Sequence, residues 1–233
     1  MQFLKLLRTV PKEVRWLAII AMAVLLLKLL LFNKLPAPSH VIYDLGPVID
    51  NILYSVLASC IFYFFVVHLK EESDRGIVLP YVYKQARRVV GICVSKLHNA
   101  STAAELLIPF RDADREKIKV IFGKLHPNGA VPNHTTLQGE PYKWLQSLVD
   151  DMDRTRHHSR NILAQMRFLD AELVGIMLRI EDCGHFLHLD STRGILSFLG
   201  NTDLSSWADE FAAYCISVRE LQDYLTRHAA ASD

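Results

Sequence analysis

The sequence predicts an all-α protein, with a two-helix transmembrane hairpin at its amino end and a cytoplasmic helical bundle after it. Three observations predict this. Two apolar runs, Trp16 to Phe32 and Val48 to Leu69, crowd into the first third of the chain. A segment carrying Pro36 and Pro38 separates them. Beyond Lys70, apolar residues recur at steps of three and four, the helical period. The 233 residues therefore divide into 1–70, the hairpin, and 71–233, a stretch long enough for one sizeable core.

The first run, WLAIIAMAVLLLKLLLF, is apolar at every position except Lys28. At about 1.5 Å per residue it reaches roughly 26 Å, just enough to cross a hydrocarbon core with help from its flanks. It is long for the apolar core of a cleaved signal, and no A-x-A site follows it, so it is expected to be retained. The second run, VIDNILYSVLASCIFYFFVVHL, is longer and less uniform. Between them, residues 33–46 form the expected outer loop, because Pro36 and Pro38 cannot continue a helix. Orientation follows from the cations. Lys5, Arg8, Lys12 and Arg15 precede the first span, and Lys70, Arg75, Lys84, Arg87 and Arg88 follow the second, whereas the loop offers Lys34. Both termini are expected in the cytoplasm and the protein in the inner membrane.

Lys28 lies four residues before Phe32, about 6 Å from the outer end of its helix. Two readings stand: its stem snorkels to the interface, or it pairs with Asp50, at a similar depth in the second span, within or between subunits. Asn51, Ser55, Ala58, Ser59 and Phe62 share one helical face of the second span. Small and hydroxyl side chains there permit close packing, either against the first span or between copies, where the face of Asn51, Ser55 and Ser59 would line a wet path. Tyr54, Phe62, Tyr63, Phe64 and Phe65 are expected to be lipid-facing bulk and interface anchors.

In the cytoplasmic part, Tyr81 to His98 reads as a helix, although Val89 to Val94 alone also fits a buried strand. Thr102 and Glu105 form a T-x-x-E capping box before a short helix that Pro109 ends. Asp112 to Leu125 is another helix, and 126–141, rich in proline and glycine, a long loop. A helix with the face Tyr142, Leu145, Val149 and Met152 starts near Pro141; whether it continues through 150–161 stays open. Ile162, Met166, Leu169, Leu173, Ile176, Ile180 and Cys183 keep the rhythm of packed helices. So do Leu204, Trp207, Phe211, Tyr214, Val218, Leu221 and Leu225.

A net charge of +1 excludes a strongly basic nucleic-acid binder on bulk charge. Cys60, Cys93, Cys183 and Cys215 have no close sequence pairing and are read as reduced and mostly buried. The sequence contains no Walker A loop, G-x-G-x-x-G, G-x-S-x-G or H-E-x-x-H motif, and no cofactor is expected. Cys183, His185 and His188 are the nearest approach to a metal cluster. Two of them point to opposite faces unless Gly184 ends a helix, so polar caps at a helix end are the plainer reading. Asp150 and Asp151 show no partner for acid–base work, and enzyme activity is not expected. Arg154, Arg156, Arg160 and Arg167, with His157 and His158, form a basic stretch. It is either a solvated face balanced by Asp150, Asp151 and Asp153 or a contact for a partner or nucleic acid, and no stacking aromatics interleave with it.

The layout of a short two-span hairpin, Trp16 to Phe32 and Val48 to Leu69, with a helical cytoplasmic domain and no catalytic motif, resembles the membrane effectors of bacterial anti-phage systems of the retron type. The resemblance implies a protein held silent by a reverse transcriptase and its RNA–DNA product. Once released, it would assemble with its own copies in the inner membrane and breach the lipid bilayer. The other reading of the same layout is a non-conducting anchored regulator or scaffold that recruits a cytoplasmic partner.

Overall fold

The structure, a computed structural model, describes residues 10–30, 40–135, 139–193 and 200–229. It is almost wholly helical, as an all-α sequence requires, and falls into two compact units, Met1–Ile77 and Val78–Asp233.

The first unit contains α1 (Lys12–Leu30) and α2 (His40–Phe62), which pack side by side. Because α1 is apolar all round, it has no polar face to turn outward: Trp16, Ile19 and Leu30 are each more than half exposed, while Ala21 is buried. The backbone of α2 is already helical at His40, so the expected loop 33–46 ends earlier than its composition suggests. Pro47 lies inside α2. Such a proline removes one backbone hydrogen bond, a loss tolerated in a membrane helix only where a neighbouring helix, a hydroxyl side chain or a local change of helical pitch takes up the freed group. Pro36 and Pro38 lie outside the described residues. After Phe62 the helix widens into a π-helical segment, Tyr63–His68, in which Phe64 meets Phe65 edge to face at 5.3 Å. Among the described residues one helix, within Pro47–Ala103, is long and apolar enough to cross a membrane.

α3 (Leu69–Ala103) begins in the first unit and continues into the second. It is helical throughout, which excludes a strand over Val89 to Val94, and its face of Val82, Ala86, Val89, Cys93, Leu97 and Ala100 is buried. The expected capping box does not form. Thr102 is still in α3, and Glu105 adopts a left-handed conformation, φ 55°. Leu106 N donates to Ser101 O at 2.8 Å and Glu105 N to Thr102 O at 3.1 Å, so these residues close a helix rather than open one. Glycine is the favoured residue at that position, since a Cβ is crowded there by about 1 kcal/mol. Glu105→Gly is therefore expected to stabilise the second unit by about 0.5–1 kcal/mol, read as a higher urea midpoint; a lower midpoint would contradict the left-handed cap.

A short helix, α4 (Arg115–Phe122), is capped by Asp114, whose carboxylate accepts from Lys117 N at 2.8 Å. Residues 126–141 are not the loop expected. Ala130–Thr135 (β1) pairs antiparallel with Pro141–Lys143 (β2), Ala130 opposite Lys143. Pro132 and Pro141 are compatible with this because each strand of a two-stranded sheet keeps one edge that needs no N–H. Pro141 thus sits in a strand, and the helix expected to start there, α5 (Trp144–Leu163), begins three residues later and runs unbroken through 150–161.

α5, α6 (Ala171–Glu181), α7 (Gly184–Thr192) and α8 (Ser205–Ala229) complete the bundle. α8 packs on α4, α6 and α7, and its six rhythmic residues, Trp207 to Leu225, are buried together with Leu204 just before it. The rhythm read from Ile162 to Cys183 does not belong to one helix. α5 ends at Leu163, Met166 is 54% exposed, and Asp170 starts α6 by accepting from Leu173 N at 2.8 Å. Gly184 opens α7 instead of closing α6, which ends at Glu181, and a Cβ on Gly184 would run into the Glu210 carboxylate.

Candidate functional site

The seam between α1 and α2 brings the candidate membrane residues together. Lys28 Nζ donates to Asp50 Oδ2 at 2.5 Å within one chain, both side chains retaining under a third of their exposure. In a medium of low dielectric, each charge lowers the cost of placing the other there. Lys28 and Asp50 form a pair whose coupling should be about 1 kcal/mol in a double-mutant cycle with Lys28→Met and Asp50→Leu, measured by unfolding in detergent. Additive losses would mean that the pair carries no energy.

Next to this pair, α2 turns Asn51, Ser55, Ala58 and Ser59 outward, all exposed, while Leu53, Val56, Leu57 and Cys60 are partly covered. Asn51, Ser55 and Ser59 border a groove of about 650 Å³ whose other wall includes Val14 and Leu17 of α1. Ser59 Oγ donates to Ser55 O at 2.8 Å, which satisfies that hydroxyl within its own helix and leaves the face small and smooth. Val14 and Leu17 were not singled out in the sequence, because a uniformly apolar helix gives no sign of which side meets a neighbour.

In the second unit, the basic stretch is largely engaged internally. Arg154 lies 3.7 Å from Asp151, Arg156 pairs with Asp190, and Arg160 reaches Glu181 at 3.2 Å. Arg167 lies over the Phe168 ring at 4.5 Å. The acidic partners come from α6 and α7 as well as from α5 itself, which no local charge count could reveal.

Cys183, His185 and His188 have separate environments. The Cys183 thiol is pushed up to about 11 by burial. His185 is 2% exposed, stacked on Tyr214 at 5.7 Å and edge-on to Phe211 at 5.1 Å. His188 stacks on Trp207 at 5.4 Å. Among the described residues, no group of three or more histidine, cysteine or acidic side chains is arranged to hold a metal ion. Lys96, which the sequence reading passed over, is buried, donates to Ser147 and lies 2.9 Å from Asp151.

These features define a helical protein with an apolar first unit, one helix of membrane-crossing length and composition among the described residues, and a compact helical second unit. No family model, curated protein or solved structure matches the chain.

Proposed function

We propose that the chain is a membrane-perturbing effector. In this reading α1 and α2 cross the inner membrane as a hairpin, both termini are cytoplasmic, and release from a cytoplasmic partner lets copies assemble. One observation carries it: the small polar face of Asn51, Ser55 and Ser59 is exposed on α2 beside an open groove, not covered by α1. In lipid, such a face gains most from close contact with another helix, since hydrocarbon offers its polar groups nothing. A single hairpin encloses no path, so breaching the bilayer requires several copies to bring these faces together. The partner must bind the silent state more tightly than the assembled one, because a ligand shifts an equilibrium only by its differential affinity. From the resemblance, that partner is a reverse transcriptase with its RNA–DNA product. The second unit has no catalytic part in this scheme.

Overexpression in bacteria tests the proposal. A membrane-impermeant dye is expected to enter induced cells, and Ser55→Leu with Ser59→Leu is expected to stop both entry and toxicity while the protein stays in the membrane. If no dye enters with the parent chain, the non-conducting anchor or scaffold takes its place. If dye entry survives the double change, the polar face plays no part.

A further inference from the structure

A cavity of about 880 Å³ lies in the second unit, between α3 and α5, apart from the seam in the first unit. Its volume falls in the range of small-molecule sites. Lys96 of α3 meets both Ser147 and Asp151 of α5, and His158 lies within electrostatic reach of Arg88, so the two helices run past each other in opposite directions. The lining thereby acquires two ends. Arg88, Arg154 and His158 occupy one; Asn99 of α3 and Tyr142 of β2 occupy the other. By the helical rise, Arg88 and Asn99 are roughly 16 Å apart.

The first end is cationic. Arg88 is exposed and makes no ion pair among the described residues, and Arg154 has a single loose partner at 3.7 Å. His158 Nδ1 is buried and makes no hydrogen bond among the described residues. Burial, then the nearby charges of Arg88, His157 and Arg154, hold the His158 imidazole below its usual range. The acids in the lining do not cancel this. Asp151 is matched by Lys96 and Asp153 by Arg193. Burial, then Asp153 and Asp151, raise the Asp150 carboxyl above its usual range, and Lys96 and Arg193 act against that.

The floor between the two ends holds the second observation. Gly91 sits in the middle of α3, where glycine costs about 1 kcal/mol relative to alanine, and a Cβ there would meet nothing within 4 Å. The lining is open over this backbone, which leaves room for a bound molecule to lie against it.

We propose that this cavity binds a nucleotide-sized organic phosphate, its phosphate held by Arg88 and Arg154 and its organic body lying over Gly91 toward Asn99 and Tyr142. Paired guanidinium groups suit the several acceptor oxygens of a phosphate. Tyr142 offers an aromatic face, and Asn99 and Asp150 offer polar atoms to a base or sugar.

Calorimetry on the full chain in detergent tests this with ribonucleoside monophosphates, the corresponding nucleosides and inorganic phosphate. At least one monophosphate is expected to bind, with its nucleoside and inorganic phosphate roughly tenfold weaker or more. Arg88→Ala should weaken binding by roughly tenfold, and Gly91→Leu should abolish it while circular dichroism and the melting temperature of the empty protein are maintained. Failure of every monophosphate at millimolar concentration overturns the proposal. So does undiminished binding to Gly91→Leu, or inorganic phosphate binding as tightly as any monophosphate. None of these readouts depends on whether the protein breaches a membrane.

Discussion

Phe211→Ala is expected to destabilise the second unit by about 3–5 kcal/mol, a large share of what holds a domain of this size together. Phe211 is 1% exposed and lies on α8, the helix that α4, α6 and α7 pack against. Its ring stands 5.0 Å from that of Phe122, 5.1 Å from His185 and 6.0 Å from Tyr214. Truncation would leave a cavity walled by α4, α7 and α8 at once, and three elements cannot collapse onto it together. Urea unfolding followed by tryptophan fluorescence measures the loss, since Trp144 and Trp207 are both buried in this unit. Leu187→Ala, on an outward position 60% exposed, should change stability by no more than about 0.5 kcal/mol. A Phe211→Ala loss as small as that of Leu187→Ala would mean that the aromatic cluster does not anchor the bundle.

The second large effect is a loss of stability in mild acid. His185 is held at about 3 by its burial, against 6.5 for an ordinary imidazole, with the nearby His188 adding a little in the same direction. The folded state therefore refuses a proton that the unfolded chain accepts. Stability from this group is complete above about pH 6.5 and declines as pH falls toward 3, because the unfolded state binds the extra proton. Between pH 7 and pH 5 the loss is about 2 kcal/mol. His185→Leu should be less sensitive to acid by that amount, whatever it does to stability at pH 7. Equal acid sensitivity in parent and variant would show that His185 takes up its proton in the folded protein. The depressed imidazole of His158 adds an acid-labile contribution of the same sign.

The parts of this fold that the sequence made legible are those whose cause is local. The buried face of α8 could be read residue by residue from Trp207 to Leu225, because an uninterrupted helix carries its period in plain view. The same period from Ile162 to Cys183 misled. A turn containing Met166 happens to preserve the spacing, while Asp170, a capping residue in the middle of the run, went unread as a helix start. The strand pair around Pro132 and Pro141 was hidden because three prolines in sixteen residues look like a loop until a partner strand leaves their edges free. At the α1–α2 seam, Lys28 and Asp50 were legible as a possible pair from depth alone, and the small face of α2 from its spacing. The groove wall and the engagement of Arg156 and Arg160 with acids far along the chain were not, since tertiary packing sets both.

The contact between α3 and α8 places Cys93 Sγ 3.7 Å from Cys215 Sγ, a buried thiol–thiol hydrogen bond with no disulfide. Burial, then the neighbouring sulfur, pushes the Cys93 thiol well above its ordinary range, so the reactive thiolate is scarce while the helices stay together. The sulfur pair thus serves as a built-in clock: alkylation of Cys93 and Cys215 times how often these two helices part.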